Sequence, residues 1–445
     1  MPQSELAVII LAAGKGTRMK SKLHKVLHPL GGRPMLHHLM ATLDELSPAR
    51  KVIVVGAGKE QVEKSVGDQA EIIVQEPQLG TGHAVQVTRD TLQGFNGTVL
   101  ILYGDVPLLS VATLKELLNV RNGANNPAVV VLGFEPEESK AYGRLVIDDG
   151  GGIEAIVEYK DATAEQRAIR LCNSGIMALD GAVMFDLLDH LDDNNAAGEF
   201  YLTDIVSIAK ARGLDCAVSV ASEGEVIGIN SRGELAEAEA IFQWGKRVQF
   251  MAAGVTLLDP SSVYFSYDTV IGADVTIEPN VFFGPGVRVA ENVTIKAFCH
   301  FEGATIHGGA TVGPYARLRP AAEVGEGAKI GNFVEVKKSI IEAGAKISHL
   351  SYIGDAYVGE GANIGAGTIT CNYDGYNKAL TDIGKGAFIG SNTSLVAPVR
   401  IGDGAIVGAG TVVTGDVSSD ALAVARPKQK EIAGWAAAFR QKQEN

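Results

Sequence analysis

The sequence is poor in cysteine and aromatic residues, and it has no long hydrophobic run. Its 445 residues include 4 cysteines and 2 tryptophans. The cysteines lie far apart with no CxxC pair, which argues against a disulfide framework or a cysteine zinc site. The first apolar run, Leu6 to Ala13, is too short to span a bilayer and no basic segment precedes it. We therefore expect a protein of the reducing cytoplasm, without membrane insertion.

Basic residues are also in deficit. Lys and Arg total 39 against 52 Asp and Glu, which gives a formal net charge of −13. This balance argues against a general binder of nucleic acid or of anionic membranes, although it does not exclude a local basic pocket. The length predicts roughly two to four domains at ~150 residues each, and 46% apolar residues is ordinary for a globular chain.

Glycine, by contrast, is in excess and unevenly distributed. The 53 glycines amount to about 12% of the chain, against an average near 7%. Residues 271–415 contain 25 glycines in 145 positions, whereas residues 1–254 contain 27 in 254. This shift in composition predicts two different architectures in one chain.

The glycine-rich half carries an aliphatic or aromatic residue at every sixth position. A period of six fits neither a helix nor a hairpin meander, and predicts a solenoid of about nine coils with three hexapeptides in each. A generic glycine-rich β domain is the alternative, which so many in-register positions disfavour. The segment CNYDGYNKALTD between Thr370 and Ile383 breaks the register and is predicted to project as a loop. The repeat positions are Ile271, Ile277, Phe283, Val289, Ile295, Ile306, Val312, Leu318, Val324, Ile330, Val336, Ile341, Ile347, Ile353, Val358, Ile364, Ile383, Ile389, Leu395, Ile401, Val407 and Val413.

The first half has the pattern of a doubly wound α/β sheet. The run LAVIIL at 6–11 predicts a strand buried on both faces of a parallel sheet. Similar runs follow at 51–55, 71–74, 99–102 and 128–132, separated by helix-like spacers. In such sheets the ligand lies beyond the carboxyl ends of the strands.

A glycine loop follows the first strand. It is neither common nucleotide fingerprint, because a Rossmann motif would need glycine at Met19 and a Walker A motif would need GKS or GKT. Gly14 and Gly16 still allow backbone N–H groups to approach a polyphosphate, with positive charge from Arg18 and Lys25. A tight strand–helix turn that uses glycine for steric reasons alone is the alternative.

Asp105 and Asn230 are candidate Mg²⁺ ligands. Asp105 ends a predicted strand, where a carboxylate can hold the ion against phosphates, but a turn before Pro107 explains it equally well. Asn230 precedes the capping box Ser231-x-x-Glu234, so it could be mere turn chemistry. The helix that starts there is predicted to connect two domains, with one apolar stripe made by Leu235, Ala238, Ile241, Phe242 and Val248.

Several independent motifs lie in both halves of the chain. They are LAAGKGTRM with Lys25, QLGTGHA at 78–84, YGD at 103–105, AYGR at 141–144, IVEYKDA at 156–162, NSGI at 173–176, RLRP at 317–320, GNFVEVKK at 331–338, SHLSYIGD at 348–355 and NIGAGTITCNYDG at 363–375. With these motifs the chain resembles the bacterial bifunctional N-acetylglucosamine-1-phosphate uridyltransferase/glucosamine-1-phosphate N-acetyltransferase family over essentially its whole length.

The resemblance implies a domain order and a pathway. Residues 1–230 would form a Rossmann-like uridyltransferase domain, 231–253 a linker helix, and 254–445 a left-handed parallel β-helix acetyltransferase domain with a C-terminal tail. The left hand comes from the resemblance alone, since the usual crossover preference suggests the opposite. The enzyme would be a cytoplasmic homotrimer that makes UDP-N-acetylglucosamine for peptidoglycan and lipopolysaccharide precursors.

For the first site, the resemblance implies UTP, N-acetylglucosamine 1-phosphate and Mg²⁺. Asp105 and Asn230 would hold the ion, with Arg18 and Lys25 at the UTP phosphates. Positioning and charge neutralisation would supply most of the catalysis. The implied substrate-binding residues are Leu11, Ala12, Ala13 and Gly14 along UTP, Gln75, Gly80 and Thr81 around uracil, and Tyr103, Gly104, Gly143, Glu158 and Asn173 at the sugar phosphate.

For the second site, the resemblance implies acetyl-CoA and glucosamine 1-phosphate. Acetyl transfer to an amine needs a base, and the resemblance assigns His349, with Glu335 to orient or polarise it. Cys371 is expected to be a packed thiol and not a nucleophile. The implied ligands are Arg319 and Lys337 for the phosphate, Tyr352 and Asn363 for the sugar, and Ala366, Asn372, Tyr373, Ser391, Ala409 and Arg426 for acetyl-CoA.

Three other functions compete with this hypothesis. In the first, the β-helix only trimerises or regulates a single-activity sugar-nucleotide pyrophosphorylase; in the second, the protein is a non-catalytic scaffold. A zinc site like that of β-helical carbonic anhydrases would need clustered histidines, whereas His300, His307 and His349 are scattered in sequence. The tail after Arg426 is helix-prone and basic, and either meets a CoA phosphate or a neighbouring subunit or is a solvated end.

Overall fold

The computed structural model describes residues 5–139, 141–148, 152–195 and 197–443. Their contacts divide the chain into two compact units, the first extending to Trp244 and the second beginning at Gly245. The first four and last two residues of the predicted domains lie outside the described residues.

The first unit alternates strands and helices along the chain. Its strands are β1 (Leu6–Ala12), β2 (Pro29–Leu30), β3 (Arg33–Pro34), β4 (Arg50–Val55), β5 (Glu71–Val74), β6 (Thr98–Tyr103), β7 (Val129–Phe134), β8 (Arg144–Ile147), β9 (Ile153–Val157), β10 (Cys172–Asp180) and β11 (Cys216–Ala221). Its helices are α1 (Met35–Asp44), α2 (Lys59–Val66), α3 (Thr81–Gln86), α4 (Val111–Arg121), α5 (Ala164–Arg167), α6 (Gly181–Leu188), α7 (Ile205–Ala211) and α8 (Arg232–Ala252), which continues into the second unit. Single 3₁₀ turns lie at Thr17–Met19, Lys25–Leu27, Gly67–Gln69, Leu202–Asp204 and Glu223–Glu225.

Most of these strands form one sheet in the order β11-β7-β10-β6-β1-β4-β5, with β8 and β9 attached beside β10. The predicted doubly wound α/β sheet is confirmed, and all five predicted runs are strands. Strand β10 was not predicted, and it runs antiparallel between β6 and β7. Because β1 lies between β4 and β6, the chain order reverses there and a crevice opens at the carboxyl ends of β1 and β6.

Both faces of β1 are buried, as its continuous apolar run predicts. Val8 and Ile10 pack into one apolar layer, and Ala7 and Ile9 pack into the layer on the other face. All four are fully buried. The loop that follows β1 is therefore anchored to the most rigid part of the unit.

Helix α8 begins at the predicted cap, where Glu234 N–H donates to Ser231 Oγ at 3.3 Å. Ala238 is fully buried on the predicted stripe. Ile241 and Val248, on the same stripe, are exposed at 39% and 44%. Only the first part of the stripe meets an apolar cluster within its own unit.

The second unit is a parallel β-helix of short strands. A 3₁₀ turn lies at Pro260–Ser262, and the strands are β12 (Thr256–Leu257), β13 (Val270–Ile271), β14 (Thr276–Ile277), β15 (Phe282–Phe283), β16 (Arg288–Val289), β17 (Thr294–Ile295), β18 (His300–Phe301), β19 (Ala304–Ile306), β20 (Thr311–Val312), β21 (Arg317–Leu318), β22 (Ala322–Val324), β23 (Lys329–Asn332), β24 (Glu335–Ile341), β25 (Lys346–His349), β26 (Tyr352–Val358), β27 (Asn363–Ile364), β28 (Ile369–Cys371), β29 (Thr381–Ile383), β30 (Phe388–Ile389), β31 (Ser394–Val396), β32 (Val399–Ile401), β33 (Ile406–Val407), β34 (Val412–Val413) and β35 (Leu422–Ala423).

Three parallel ladders run along this unit. One is β12-β14-β17-β20-β23-β25-β27-β30-β33-β35, with ten strands. The second is β13-β16-β19-β22-β24-β26-β29-β32, and the third is β15-β18-β21-β24-β26-β28-β31-β34. Strands β24 and β26 continue around a corner and belong to both. The predicted solenoid of hexapeptides, three to a coil, is confirmed, and every repeat position belongs to one buried core.

The predicted loop leaves the helix between β28 and β29. Tyr376 at its tip is 93% exposed. The tail after Arg426 contains α9 (Trp435–Gln443), whose side chains are exposed. Among the described residues, no helix combines the length and apolarity needed to cross a membrane.

Candidate active sites

The first site is a cavity of about 350 Å³ at the carboxyl ends of β1 and β6. It lies where the sheet order reverses, as expected for a ligand site in an open α/β sheet. Eleven residues that the sequence nominated line this one cavity, which brings together segments far apart in the chain. They are Leu11, Ala12, Ala13, Gly14, Lys25, Gln75, Gly80, Thr81, Tyr103, Asp105 and Asn230.

The Lys25 ammonium lies between the two candidate metal ligands. Its Nζ donates to Asp105 Oδ2 at 2.5 Å and to Asn230 Oδ1 at 2.9 Å. The Lys25 and Asp105 side chains are each 13% exposed. One oxygen from each ligand thus faces a single cation position.

Backbone contacts hold the two ligands in place. Ile229 N–H donates to the Asp105 carbonyl at 2.9 Å, which ties the two chain segments together. Asn230 Nδ2 donates to the Gly228 carbonyl at 3.2 Å, which leaves Oδ1 directed at Lys25. Its backbone N–H donates to Glu234 Oε2 at 2.8 Å. A carboxylate and an amide oxygen beside a phosphate loop fit Mg²⁺, which takes one or two protein oxygens and fills its other positions with phosphates and water.

One wall of the cavity is formed by the segment from Gln75 to Thr81. Gln75 Nε2 donates to the Gly80 carbonyl at 2.9 Å, and Thr81 Oγ1 accepts from Leu202 N–H at 3.0 Å. Gln78, which the sequence reasoning did not nominate, donates through Nε2 to the Ala13 carbonyl of the glycine loop. The sequence signal that could have identified Gln78 is its position in the motif QLGTGHA. Glu199 also lines the cavity, and no sequence signal pointed to it.

The nominated sugar residues form a second cluster beside Tyr103. Asn173 N–H donates to the Gly143 carbonyl at 2.9 Å, and a Cβ at Gly143 would lie 3.5 Å from the Glu158 carboxylate oxygens. Burial raises the pKa of Glu158, against a smaller opposing effect of the Thr203 hydroxyl. Burial also raises the pKa of Tyr103, and the charges of Asp105 and Glu158 add to that shift.

Arg18 and Gly104 are not among the residues that line the cavity. Arg18 is exposed, and its charge acts on Glu234. Gly104 lies behind the wall, where its N–H donates to the Leu11 carbonyl at 3.0 Å. The structure thus brings eleven nominated residues together in the cavity, whereas Arg18 and Gly104 lie outside its lining.

The second site lies on the surface of the β-helix around His349. The imidazole is exposed at the end of β25, where β23 pairs Asn332 opposite it. His349 Nδ1 and Asn332 Oδ1 are 2.5 Å apart. Because an amide oxygen only accepts, Nδ1 is the donor in this contact, and in the neutral ring Nε2 then has the lone pair. An imidazole in this tautomer can accept a proton at Nε2.

The Glu335 carboxylate contacts two arginines. Its Oε1 accepts from Arg319 Nη1 at 2.8 Å, and Oε2 lies 3.8 Å from Arg317 Nη1. The polar partner of the His349 ring is Asn332, which the sequence reasoning did not nominate. These contacts of Glu335 are with arginines, and the expectation that it orients or polarises His349 stays a prediction.

Three cations cluster next to this site. Lys378 and then Arg319 lower the pKa of the Lys337 ammonium, because like charges disfavour its protonated form. Lys378 lies in the projecting loop and was not nominated individually. In the neighbouring coil, Tyr352 covers the backbone, since a Cβ at Gly354 would lie 2.3 Å from its hydroxyl oxygen. This cluster has the charge expected of a phosphate site.

Ala366, Ser391 and Ala409 share one corner of three successive coils. Asn392 N–H donates to the Ala366 carbonyl at 2.7 Å, and Gly410 N–H donates to the Ser391 carbonyl at 2.8 Å. Arg426 donates to the Ala409 carbonyl at 2.5 Å. Gly367 N–H donates to the His349 carbonyl at 3.3 Å, so this row begins beside the candidate base.

The remaining nominated residues make their contacts elsewhere. Asn363 pairs with Lys346 on the first ladder. Asn372 is buried at the base of the loop, where Nδ2 donates to Asp355, and the Tyr373 hydroxyl donates to the Gly375 carbonyl at 2.5 Å. Cys371 is half-buried and free, as are the buried Cys172, Cys216 and Cys299.

The other histidines of the β-helix have separate partners. The His300 ring stacks on Phe282 at 4.9 Å, and His307 Nε2 contacts Glu323 at 2.9 Å. Within residues 5–139, 141–148, 152–195 and 197–443, no group of three or more His, Cys, Asp and Glu side chains could hold a metal ion. These partners give no support to a histidine zinc centre.

Together the fold and the two sites define a nucleotidyltransferase joined to a hexapeptide transferase. The family of the MobA-like NTP transferase domain matches residues 8–169. The family of bacterial transferase hexapeptides matches residues 268–303 and 381–415. The matched hexapeptides and the parallel ladders fit the expected left-handed β-helix.

Full-length relatives give the family. A protein named "Bifunctional protein GlmU" from Paramagnetospirillum magneticum is 58% identical over 443 residues, covering 100% of this chain and 98% of the relative. Its namesake from Sphingopyxis alaskensis is 59% identical over 434 residues, covering 98% and 96%. That from Rhodospirillum rubrum is 57% identical over 437 residues, covering 98% of both. The chain belongs to the bifunctional GlmU family and is a bifunctional transferase.

Proposed function

We propose that this protein makes UDP-N-acetylglucosamine in two steps, each in its own unit. Glucosamine 1-phosphate is first acetylated on the β-helix with acetyl-CoA. The N-acetylglucosamine 1-phosphate then reacts with UTP at the α/β cavity and releases pyrophosphate. The observation that carries this proposal is the presence in one chain of two different sets of polar groups, Lys25–Asp105–Asn230 in a cavity and His349–Asn332 on a β-helix.

In the acetyl transfer, the sugar amine attacks the thioester carbonyl carbon. The new N–C bond forms as the C–S bond breaks, and CoA leaves as the thiolate. His349 Nε2 takes the proton that the amine loses, and Asn332 fixes the tautomer in which Nε2 can do so. Transfer is direct, and Cys371 forms no acyl-enzyme.

Binding of the two substrates is supported by the charge and shape around His349. Arg319, Lys337 and Lys378 hold the phosphate of the amino sugar, and Tyr352 and Asn363 contact its ring. Acetyl-CoA lies along the corner row that starts at the candidate base. That row consists of Ala366, Ser391 and Ala409 with Arg426, and Asn372 and Tyr373 approach from the loop.

In the uridylyl transfer, a phosphate oxygen of N-acetylglucosamine 1-phosphate attacks the α-phosphorus of UTP in line with the leaving pyrophosphate. The loop from Leu11 to Gly14 holds the phosphates through backbone N–H groups, and Lys25 neutralises charge that develops at the reacting centre. Gln75, Gly80 and Thr81 surround the uracil. On the other side, the sugar phosphate is bound by Tyr103, Gly104, Gly143, Glu158 and Asn173. Arg18 adds positive charge at the phosphates of UTP.

Mg²⁺ is the cofactor of this step. Asp105 and Asn230 would hold it, because their oxygens already face one cation position. When bound, the ion polarises the phosphates of UTP and offsets their negative charge. Lys25 and the loop N–H groups position the nucleotide for attack.

The protein is proposed to act as a homotrimer in the cytoplasm. A column of aromatic rings supports self-association: Phe298 stacks on Tyr315 at 4.9 Å, and Tyr315 stacks on Phe333 at 5.1 Å. Each ring is about half exposed, which forms an apolar corner on an acidic protein. A second copy of the chain would cover it. The free thiols fit a reducing compartment.

Product analysis with omission of single reagents tests the proposal. The full-length protein is incubated with glucosamine 1-phosphate, acetyl-CoA, UTP and Mg²⁺, and products are resolved by chromatography. Omission of acetyl-CoA should prevent formation of the acetylated sugar phosphate and of the UDP-sugar, and supplied N-acetylglucosamine 1-phosphate should restore the second product. A protein that makes the UDP-sugar only from supplied N-acetylglucosamine 1-phosphate would be a single-activity pyrophosphorylase.

A further inference from the structure

The Lys25 ammonium lies where the proposed cofactor would bind. Its Nζ lies 2.5 Å from Asp105 Oδ2 and 2.9 Å from Asn230 Oδ1, the two oxygens assigned to the divalent cation. We propose that Lys25 occupies the cation position of the nucleotide-free enzyme and excludes the metal ion until nucleotide phosphates draw the lysine away. This inference rests on the function proposed for the cavity.

The ammonium and a divalent cation compete for these oxygens. Mg²⁺ binds oxygen at about 2.0–2.1 Å, closer than the hydrogen-bond distances at Lys25. Two positive charges at such separations repel strongly in a site where Lys25 and Asp105 are each 13% exposed. Occupancy by one cation therefore lowers the affinity for the other.

The lysine also has an alternative anionic partner within reach. A Cβ at Gly14 would lie 4.0 Å from Lys25 Nζ, so the ammonium is already next to the loop that receives the phosphates. The lysine side chain has four rotatable bonds and can turn toward a polyphosphate without movement of the backbone. The phosphates offer more negative charge than the single carboxylate of Asp105.

The backbone contacts of the two ligands, in contrast, do not involve Lys25. The Asp105 carbonyl accepts from Ile229 N–H, and Asn230 is held by Gly228 and Glu234. When the ammonium leaves, Asn230 Oδ1 stays directed at the vacated position, and the Asp105 carboxylate stays attached to a backbone that Ile229 holds. Nucleotide and metal ion therefore enter together, and the free enzyme binds the metal ion weakly.

The test measures Mn²⁺ binding to the full-length, nucleotide-free protein by electron paramagnetic resonance, with no turnover involved. Lys25→Met removes the competing charge and should tighten Mn²⁺ binding at least about tenfold over wild type. Lys22→Met is the matched control, because it removes an exposed positive charge from the same segment, and it should leave the dissociation constant within about twofold. Lys25→Gln gives a second neutral variant if Lys25→Met is unfolded by circular dichroism.

Asp105→Asn separates this inference from the proposal on which it rests. In the Lys25→Met background it should abolish the gained Mn²⁺ site. Unchanged or weaker Mn²⁺ binding in folded Lys25→Met and Lys25→Gln would overturn the exclusion by lysine, and leave the cation site itself intact if Asp105→Asn still weakens binding. Tight binding that survives Asp105→Asn would overturn both, because the ion would then bind elsewhere.

Discussion

The two sites differ most in how far each is enclosed by its own unit. The first is a cavity of about 350 Å³, and its Lys25 and Asp105 side chains are nearly buried. The second lies on an open surface, where His349 is exposed and Arg319 and Glu335 keep about a third of their side-chain area in solvent.

The degree of enclosure determines how strongly the charged groups of each site interact. In the cavity, low exposure strengthens charge interactions, and burial raises the pKa of Tyr103, which lines it. On the open face, the charges of Arg319, Lys337 and Lys378 are screened by water. The second site is therefore open to solvent within its own unit, whereas the first is enclosed by its own unit.

Removal of the base should separate the two activities most sharply. His349→Ala removes the proton acceptor of acetyl transfer, so acetylation should fall by about 10²- to 10⁴-fold. UTP-dependent release of pyrophosphate from supplied N-acetylglucosamine 1-phosphate should be unchanged, because His349 belongs to the other unit. Thiol release from acetyl-CoA and pyrophosphate release are measured on the same preparation.

His307→Ala is the control for that variant. His307 is also an exposed β-helix histidine, but its partner is Glu323. Both activities should be retained. Equal loss of acetylation in the two variants, or loss of uridylyl transfer in a folded His349→Ala protein, would contradict the assignment.

The reciprocal change is made in the cavity. Asp105→Asn removes the carboxylate that holds the cation position, and uridylyl transfer should fall by about 10²- to 10³-fold. Acetylation should persist at the wild-type rate. The reaction is followed by pyrophosphate release at saturating Mg²⁺. A variant that keeps more than a tenth of the wild-type rate would contradict the role assigned to Asp105.

Periodicity made much of the fold predictable. Every repeat position from Ile271 to Val413 is in the β-helix core, since a six-residue period leaves one inward position for each strand. Strand β10 was missed because its segment mixes polar and small residues, CNSGIMALD, and its partners are distant in sequence. The exposed Ile241 and Val248 show that an apolar stripe alone does not say how much of it is covered.

The site residues were predictable only where they belong to a sequence motif. Resemblance supplied most residues of the cavity, but Glu199 enters it through tertiary packing that no local pattern encodes. At the second site, the coil register determines which residue faces His349. The resemblance assigned Glu335 to orient or polarise His349, and the register adds Asn332 as a direct partner of the ring.

The pairing of Asn332 with His349 predicts a third and smaller effect, at the second site. Asn332→Ala removes one hydrogen bond from the His349 ring, so kcat for acetylation should fall about three- to tenfold with little change in KM. Asn332→Asp places a carboxylate beside the ring, which favours the imidazolium, so the acid limb of the pH–rate profile should move to higher pH. A purely structural role would change stability and leave the position of that limb unaltered.

The smallest expected effect is on thermal stability and concerns the Glu158 carboxyl group of the first unit. Burial raises the pKa of Glu158, so its ionisation opposes folding increasingly as the pH rises above the ordinary glutamate value, and fully above the raised value. Glu158→Gln should therefore raise the Tm at pH 8 by on the order of 1–2 °C, since 1 kcal/mol shifts the Tm of such a domain by about 2–4 °C. The difference should fade as the pH falls through the raised pKa, because wild-type Glu158 then also becomes neutral.

The control is Glu154→Gln, which removes an exposed carboxylate on β9 and should show no such pH-dependent gain in calorimetry. Equal gains in both variants would place Glu158 outside any enclosed environment.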